Sequence, residues 1–108
     1  MSTIFHIAEK SAWESARATG SYRVPSLDSE GFIHLSTSDQ YIATANRYYR
    51  GRDDLVLLEV DPDGLSDLRY EKSTNDELFP HLYSELPASA VVRVHMFVPT
   101  PDGSFAGL

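Results

Sequence analysis

The chain has 108 residues, 42% of them hydrophobic, which suits one domain with a core of modest size. It contains no cysteine, which excludes disulfides and thiolate chemistry, and 16 acids against 9 bases leave a net charge of −7. Arg47, Arg50 and Arg52 are the only local cluster of cations, so duplex nucleic acid is not an expected partner.

Residues 3–8 (Thr-Ile-Phe-His-Ile-Ala) read as a first strand. Ser11 and Glu14 have capping-box spacing, which predicts a helix from Ser11 to Thr19 with Gly20 as its left-handed stop. Residues 21–30 read as a connection. Gly31 to Ser36 read as a second strand, with Ile33 and Leu35 on a buried face and Phe32, His34 and Ser36 on the other. Thr37 and Gln40 form a second capping box, and the helix after it carries Tyr41, Ile42, Ala45, Tyr48 and Tyr49 at helical spacing before Arg50-Gly51. Leu55 to Val60 is the strongest strand, apolar enough to be buried on both faces. Asp61-Pro62-Asp63-Gly64 is a turn, Leu68 to Glu71 a short strand, residues 73–86 an irregular polar loop and Ala90 to Val98 a long last strand. Residues 99–108 read as a loosely held tail. With both helices early and strands in the majority, the expected class is α+β.

No stretch approaches the roughly 20 apolar residues that span a bilayer. Residues 1–6 lack the basic start and long apolar run of a signal peptide. The expectation is a cytoplasmic protein with no membrane partner, monomeric by default because apolar surface runs are few.

The chemistry-bearing residues follow from this layout. His34 is either a core histidine with a backbone partner or a site residue, and Ser36 shares its face. Ser36, Thr37 and Ser38 lie beside the start of a helix, whose free amides suit an anion, although capping alone explains Thr37. His81 follows Pro80 in a loop, with Tyr83 close by as a stacking ring or donor. Glu71 is a candidate general base or sugar-hydroxyl partner, and Arg69 or Lys72 is its alternative surface partner. His6 and His95 fit packing and a half-exposed sheet face. No two histidines have a metal-ligand spacing, and there is no G-x-S-x-G elbow or glycine-rich phosphate loop.

Several motifs recur together. They are Ile7-Ala8, Trp13, Glu30-Gly31-Phe32-Ile33-His34-Leu35-Ser36, Gln40 with Ala45-Asn46-Arg47, Asp54 to Leu58, Leu68-Arg69-Tyr70-Glu71, Phe79-Pro80-His81-Leu82-Tyr83 and Ala90-Val91-Val92. In that order the chain resembles a small bacterial family known as a domain of unknown function, the nine-hundred-and-fifty-second of its series. The resemblance implies an ADP-ribosyltransferase-like fold: an α+β domain with a split, mostly antiparallel sheet and two early helices around a cleft that in relatives holds NAD. On that likeness His6 meets the nicotinamide-side ribose or phosphate. His34 with Ser36, Thr37 and Ser38 shapes the nicotinamide pocket, and Glu71 steadies an oxocarbenium-like transition state. The expected catalytic residues are Glu71, His34 and His81. The expected substrate contacts are His6, Ser36, Thr37, Ser38, Arg69 and Tyr83, with no metal. NAD enters as a substrate and not as a resident cofactor. The expected function is a transferase or glycohydrolase acting at an N-glycosidic bond of a nucleotide-like small molecule. The alternatives are a non-catalytic module binding such a ligand or a protein segment in the same cleft, and a metal-assisted hydrolase. The chain departs from the fold's pattern in having no E-x-E or Q-x-E pair before a late strand.

Overall fold

The computed structural model describes residues 2–73 and 76–107; positions 1, 74–75 and 108, which fall in the expected N-terminal start, polar loop and tail, lie outside the described residues. Its organising element is β4 (Leu55–Val60), flanked by antiparallel β1 (Ile4–Glu9) and β8 (Val91–Phe97) in one three-stranded sheet. Because strand side chains alternate, the unbroken apolar run of β4 feeds two cores. Val56, Leu58 and Val60 pack with Ile4, Ala8, Trp13 and Tyr22, whereas Leu55 and Leu57 pack with Phe5, Tyr41, Ala45 and Phe97.

A second sheet has the order β3 (Ile33–His34), β6 (Leu78–Leu82), β5 (Leu68–Lys72), again antiparallel, and β2 (Ser21–Tyr22) pairs with β7 (Leu86–Pro87). The two larger sheets join at one place. Phe5 and Ser36 exchange two backbone hydrogen bonds of 2.7 Å each. That bridge does not continue as a ladder, and residues of β1 and β3 line a cavity of about 960 Å³ beside it.

Three helices are present, one more than expected: α1 (Lys10–Thr19), α2 (Pro25–Ser29) and α3 (Tyr41–Tyr48), with a 3₁₀ turn at Ala88–Ala90. The chain is thus a mixed α+β domain with antiparallel sheets. Neither capping box closes as expected. Helix α1 starts at Lys10, with Glu9 rather than Ser11 at the N-cap, and no side chain caps it. The Lys10 N–H donates instead to the Asp54 carbonyl at 2.9 Å, so the strand-to-helix join already satisfies that donor. Before α3, Thr37 and Gln40 form only the return half of the box, the Thr37 N–H donating to Gln40 Oε1 at 3.0 Å. The same Gln40 amide donates to the Leu78 carbonyl at 2.6 Å, tying this corner to β6. Gly20 ends α1 at φ 91°, the left-handed value expected of a glycine stop.

Three further expectations are corrected. The connection over residues 21–30 contains β2 and α2, the latter with a proline in its first turn. The segment 73–86 is not wholly irregular, since it supplies β6 and β7. The second strand shrinks to Ile33–His34. Pro80 explains this shortening: it accepts a hydrogen bond from the Leu35 N–H at 3.0 Å but has no N–H to return, so the β3 ladder stops there.

The tail is not loosely held. Phe105 is buried at 4% exposure and stacks on Phe97 with ring centroids 4.6 Å apart. Asn46 clamps its backbone, accepting from the Phe105 N–H at 2.7 Å and donating to the Phe105 carbonyl at 3.3 Å. Phe105→Ala is expected to cost about 3 kcal/mol, read from urea unfolding, because a buried ring is lost and its cavity stays. A cost within about 0.5 kcal/mol, the range of a surface change, would return the tail to the loose state that its composition suggests.

Candidate functional site

Strand pairing assembles the site from side chains that the sequence separates widely. His34 lies directly opposite His81, and His81 lies opposite Arg69, so one row crosses β3, β6 and β5 on one face while Ile33, Leu82 and Leu68 point to the other. The His34 and His81 rings meet edge to face with centroids 5.5 Å apart. Phe32 lies flat on His81 at 4.0 Å and an interplanar angle of 17°, and its edge meets His34 at 4.7 Å. Gly31, at φ 91°, makes the turn that brings Phe32 over this row.

His81 and Glu71 form a dyad. Glu71 Oε1 lies 2.7 Å from His81 Nδ1 and also accepts from the Tyr83 hydroxyl at 2.5 Å. A carboxylate only accepts, so His81 carries its proton on Nδ1 and Nε2 is left as the free position. The two donors, Tyr83 first, hold the Glu71 carboxyl below its usual range, and the same bond pushes the Tyr83 hydroxyl up. Arg69 lies over the Tyr83 ring, 5.4 Å from its centroid. His34 Nε2 lies 3.1 Å from a Glu30 carboxylate oxygen.

His6 reaches the cavity from β1 and is buried. Its Nδ1 lies 2.6 Å from the His34 carbonyl, and its Nε2 lies 2.9 Å from the Tyr22 hydroxyl. The carbonyl must accept, so Nδ1 carries the proton, Nε2 accepts and Tyr22 donates. Burial lowers the His6 pKa from 6.5 to about 4, outweighing the carbonyl bond that favours the proton. Burial also pushes the Tyr22 hydroxyl up, so it remains a neutral donor. His6 thus carries no charge at neutral pH, and both its nitrogens are committed within the protein.

The structure sorts the expected residues into three groups. His6, His34, Ser36 and His81 line the cavity together. Ser36 is 5% exposed, and its hydroxyl has no hydrogen-bond partner among the described residues. Glu71, Tyr83 and Arg69 are not cavity-lining; Glu71 reaches the cavity only through His81. Thr37 and Ser38 do not line it either, because they form the turn before α3. Residues not anticipated for the site are Tyr22, Tyr48, Tyr49, Arg23, Arg52, Glu9 and Glu30. Glu30 opens the Glu30 to Ser36 motif, Arg52 belongs to the cation cluster and Tyr48 and Tyr49 to the stripe at helical spacing, whereas Tyr22, Arg23 and Glu9 carried no local signal. Arg52 is more than a helix-end cation: it bonds both Asp54 oxygens at 3.0 and 2.6 Å and Glu9 at 2.9 Å. Among the described residues no three His, Asp or Glu side chains gather as a metal site, and no helix is long and apolar enough to cross a membrane.

This mixed α+β domain of antiparallel sheets with a histidine-lined cleft belongs to a known family. Residues 7–94 match the family described as protein of unknown function DUF952, and the chain is a member of it. It is similar to protein CC0527 of Caulobacter crescentus. The crystal structure of that protein is 36% identical with a TM-score of 0.89, the match covering 96% of this chain and 93% of that one. The CC0527 solution NMR structure is 38% identical with a TM-score of 0.84, covering 96% of this chain and 91% of that one. No curated protein matches the chain.

The buried, neutral His6 makes stability depend on acid. Its folded pKa lies below the unfolded value, so the unfolded chain binds more protons between pH 6.5 and about 4. Its contribution is complete above pH 6.5 and is lost as pH falls, by up to about 3 kcal/mol below pH 4. The stability gap between wild type and His6→Gln is therefore expected to narrow by that amount from pH 7 to pH 4 in urea titrations. An unchanged gap would mean that His6 takes up its proton equally readily in the folded and the unfolded chain.

Proposed function

We propose that the cleft binds NAD or a related N-riboside within an ADP-ribosyltransferase-like fold, and that it acts at the N-glycosidic bond. The observation that carries this reading is the convergence of His6 from β1, His34 of β3 with Ser36 just after it, and His81 from β6 on one cavity beside the bridge between the two sheets. A sheet split in this way supports the fold. A cavity of about 960 Å³ lies within the range of sites for compact organic ligands.

In this reading the bond between ribose C1′ and the base nitrogen breaks, and its electron pair leaves with the base. An oxygen of water or of an acceptor hydroxyl bonds to C1′ and gives its proton to His81 Nε2. Glu71 holds the opposite nitrogen, fixes the tautomer and stabilises the imidazolium that forms. Ser36 and Tyr22 supply hydroxyls for ribose or carboxamide, and the carboxylates of Glu30 and Glu71 offset positive charge at C1′. His6 acts through Tyr22. Glu71 therefore supports the base instead of touching the ribose, which revises the direct role implied by the resemblance.

One observation favours the binding-module alternative. The acid expected at the reacting centre is already occupied by His81 and Tyr83.

Two measurements test these readings. Titration with NAD is expected to move the ring resonances of His34 and His81, and no movement at millimolar NAD would remove the NAD site. Nicotinamide release is expected to fall by about 10²-fold or more in His81→Ala, the size of a lost general base, and to fall in Glu71→Gln, with both folded. Shifts without any release by wild type would leave the binding module.

A further inference from the structure

Strand β8 is the outer edge of its sheet, in the order β1-β4-β8. Exposed apolar side chains gather along it: Val92, Val94 and Met96 are 55%, 43% and 72% exposed, and Val98, the residue after it, is 57% exposed. Val94 and Met96 pair with Leu58 and Val56, so they extend the face of the sheet that carries the main core. Edge strands are normally protected by lysine, proline or a bulge. Here neither lysine nor proline lies between Val91 and Phe97. The bulge at Glu59/Val60 disturbs only the first residues, leaving Arg93 to Phe97 in regular register with β4.

Charge selects the occupant. In a chain of net charge −7, residues 91–97 contain no acid and a single arginine. The nearest carboxylate on β4, Glu59, is bonded to His95 at 2.8 Å and to Thr3 at 2.9 Å. Two copies can therefore approach along this strand without bringing free carboxylates together. Antiparallel pairing about a two-fold axis at His95 keeps all five regular residues paired. It sets Val94 opposite Met96 of the second copy and Arg93 opposite Phe97 of the second copy, with no arginine facing arginine.

We propose that β8 is a homodimerisation edge, joining two sheets into one continuous six-stranded sheet through antiparallel β8–β8 pairing. A strand pairs with the backbone of this edge in a continuous ladder, and the self-pairing covers the two exposed apolar side chains with each other. Five residues per copy make a small interface, below about 1,200 Å², so the dimer is concentration-dependent. The default expectation of a monomer rested on few apolar surface runs, and β8 is such a run once folded.

Sedimentation equilibrium of the intact chain tests this up to about 1 mM, the weak end of specific association. The expected result is a mass rising from one chain to two. Val94→Lys and Met96→Lys, both at exposed positions, are each expected to weaken dimerisation by about tenfold or more. Leu78→Lys, an exposed apolar residue on the other sheet, is expected to leave it unchanged. Isotope-filtered NOEs between Val94 and Met96 methyls of different copies are expected for this register. A monomer at the highest concentration overturns the proposal, as does an association that both lysine variants leave intact. Capture of a strand from another protein without self-association overturns the choice of occupant.

Discussion

Two backbone hydrogen bonds between Phe5 and Ser36 are the constraint on which the rest of the molecule turns. They join two three-stranded sheets that otherwise form separate ladders, and the pairing of β1 with the β3 segment does not extend beyond them. One further bond crosses the gap, from His6 Nδ1 to the His34 carbonyl. It is partly buried, and on the His6 side, which is buried, a missing partner would be costly. The opening is therefore fixed at its base by backbone and closed behind by a neutral imidazole. This is why a titratable side chain can sit in the floor of the cleft without carrying charge into it.

The division of the core has the same origin. A strand buried on both faces must be covered on both, and β4 is covered by α1 with β2 on one side and by α3 with the tail on the other. The tail thus completes the smaller core, and Phe105 provides the last aromatic layer over Phe97. Its proline- and glycine-rich composition describes the turn at Thr100 to Ser104 and not the ring that follows. Thr100, Asp102 and Ser104 bond one another there, and the Gly51 N–H donates to the Gly103 carbonyl at 2.9 Å.

What could be read beforehand was whatever depends on periodicity. The double-sided burial of β4, the inward Ile33 and Leu35, the glycine stop at Gly20 and the buried stripe of Tyr41 and Ala45 all repeat at the spacing of their elements. What escaped depends on long-range hydrogen bonding. Ser11 has the spacing of a cap, but the helix begins one residue before it, where the distant Asp54 carbonyl accepts from the Lys10 N–H. Pro80 reads as a strand breaker, yet its carbonyl and missing N–H both face β3, leaving the β5 side of β6 undisturbed. His34 and His81 were legible as candidates, and their opposition across a ladder was not. Tyr22 sits in an unremarkable connection, and only its bond to His6 marks it.

The charges around the cavity bear on which part of a ligand the cleft can hold most tightly. Arg23 and Arg52 are the lysine or arginine side chains among its lining, and both are already engaged. Arg23 bonds Asp28 at 2.7 Å, and Arg52 bonds Glu9 and Asp54. A phosphate would share each guanidinium with a carboxylate that already offsets its charge, gaining less than it would from an unpaired arginine. The polar groups available among the described lining residues include the Ser36 hydroxyl, His81 Nε2 and the acceptor capacity of Tyr22, all suited to hydroxyls and amides. Together with the Glu30 and Glu71 carboxylates, they favour the neutral or cationic end of an N-riboside over its phosphates. On the proposed reading, recognition is therefore strongest beside the bond that would break, the placement transition-state stabilisation requires.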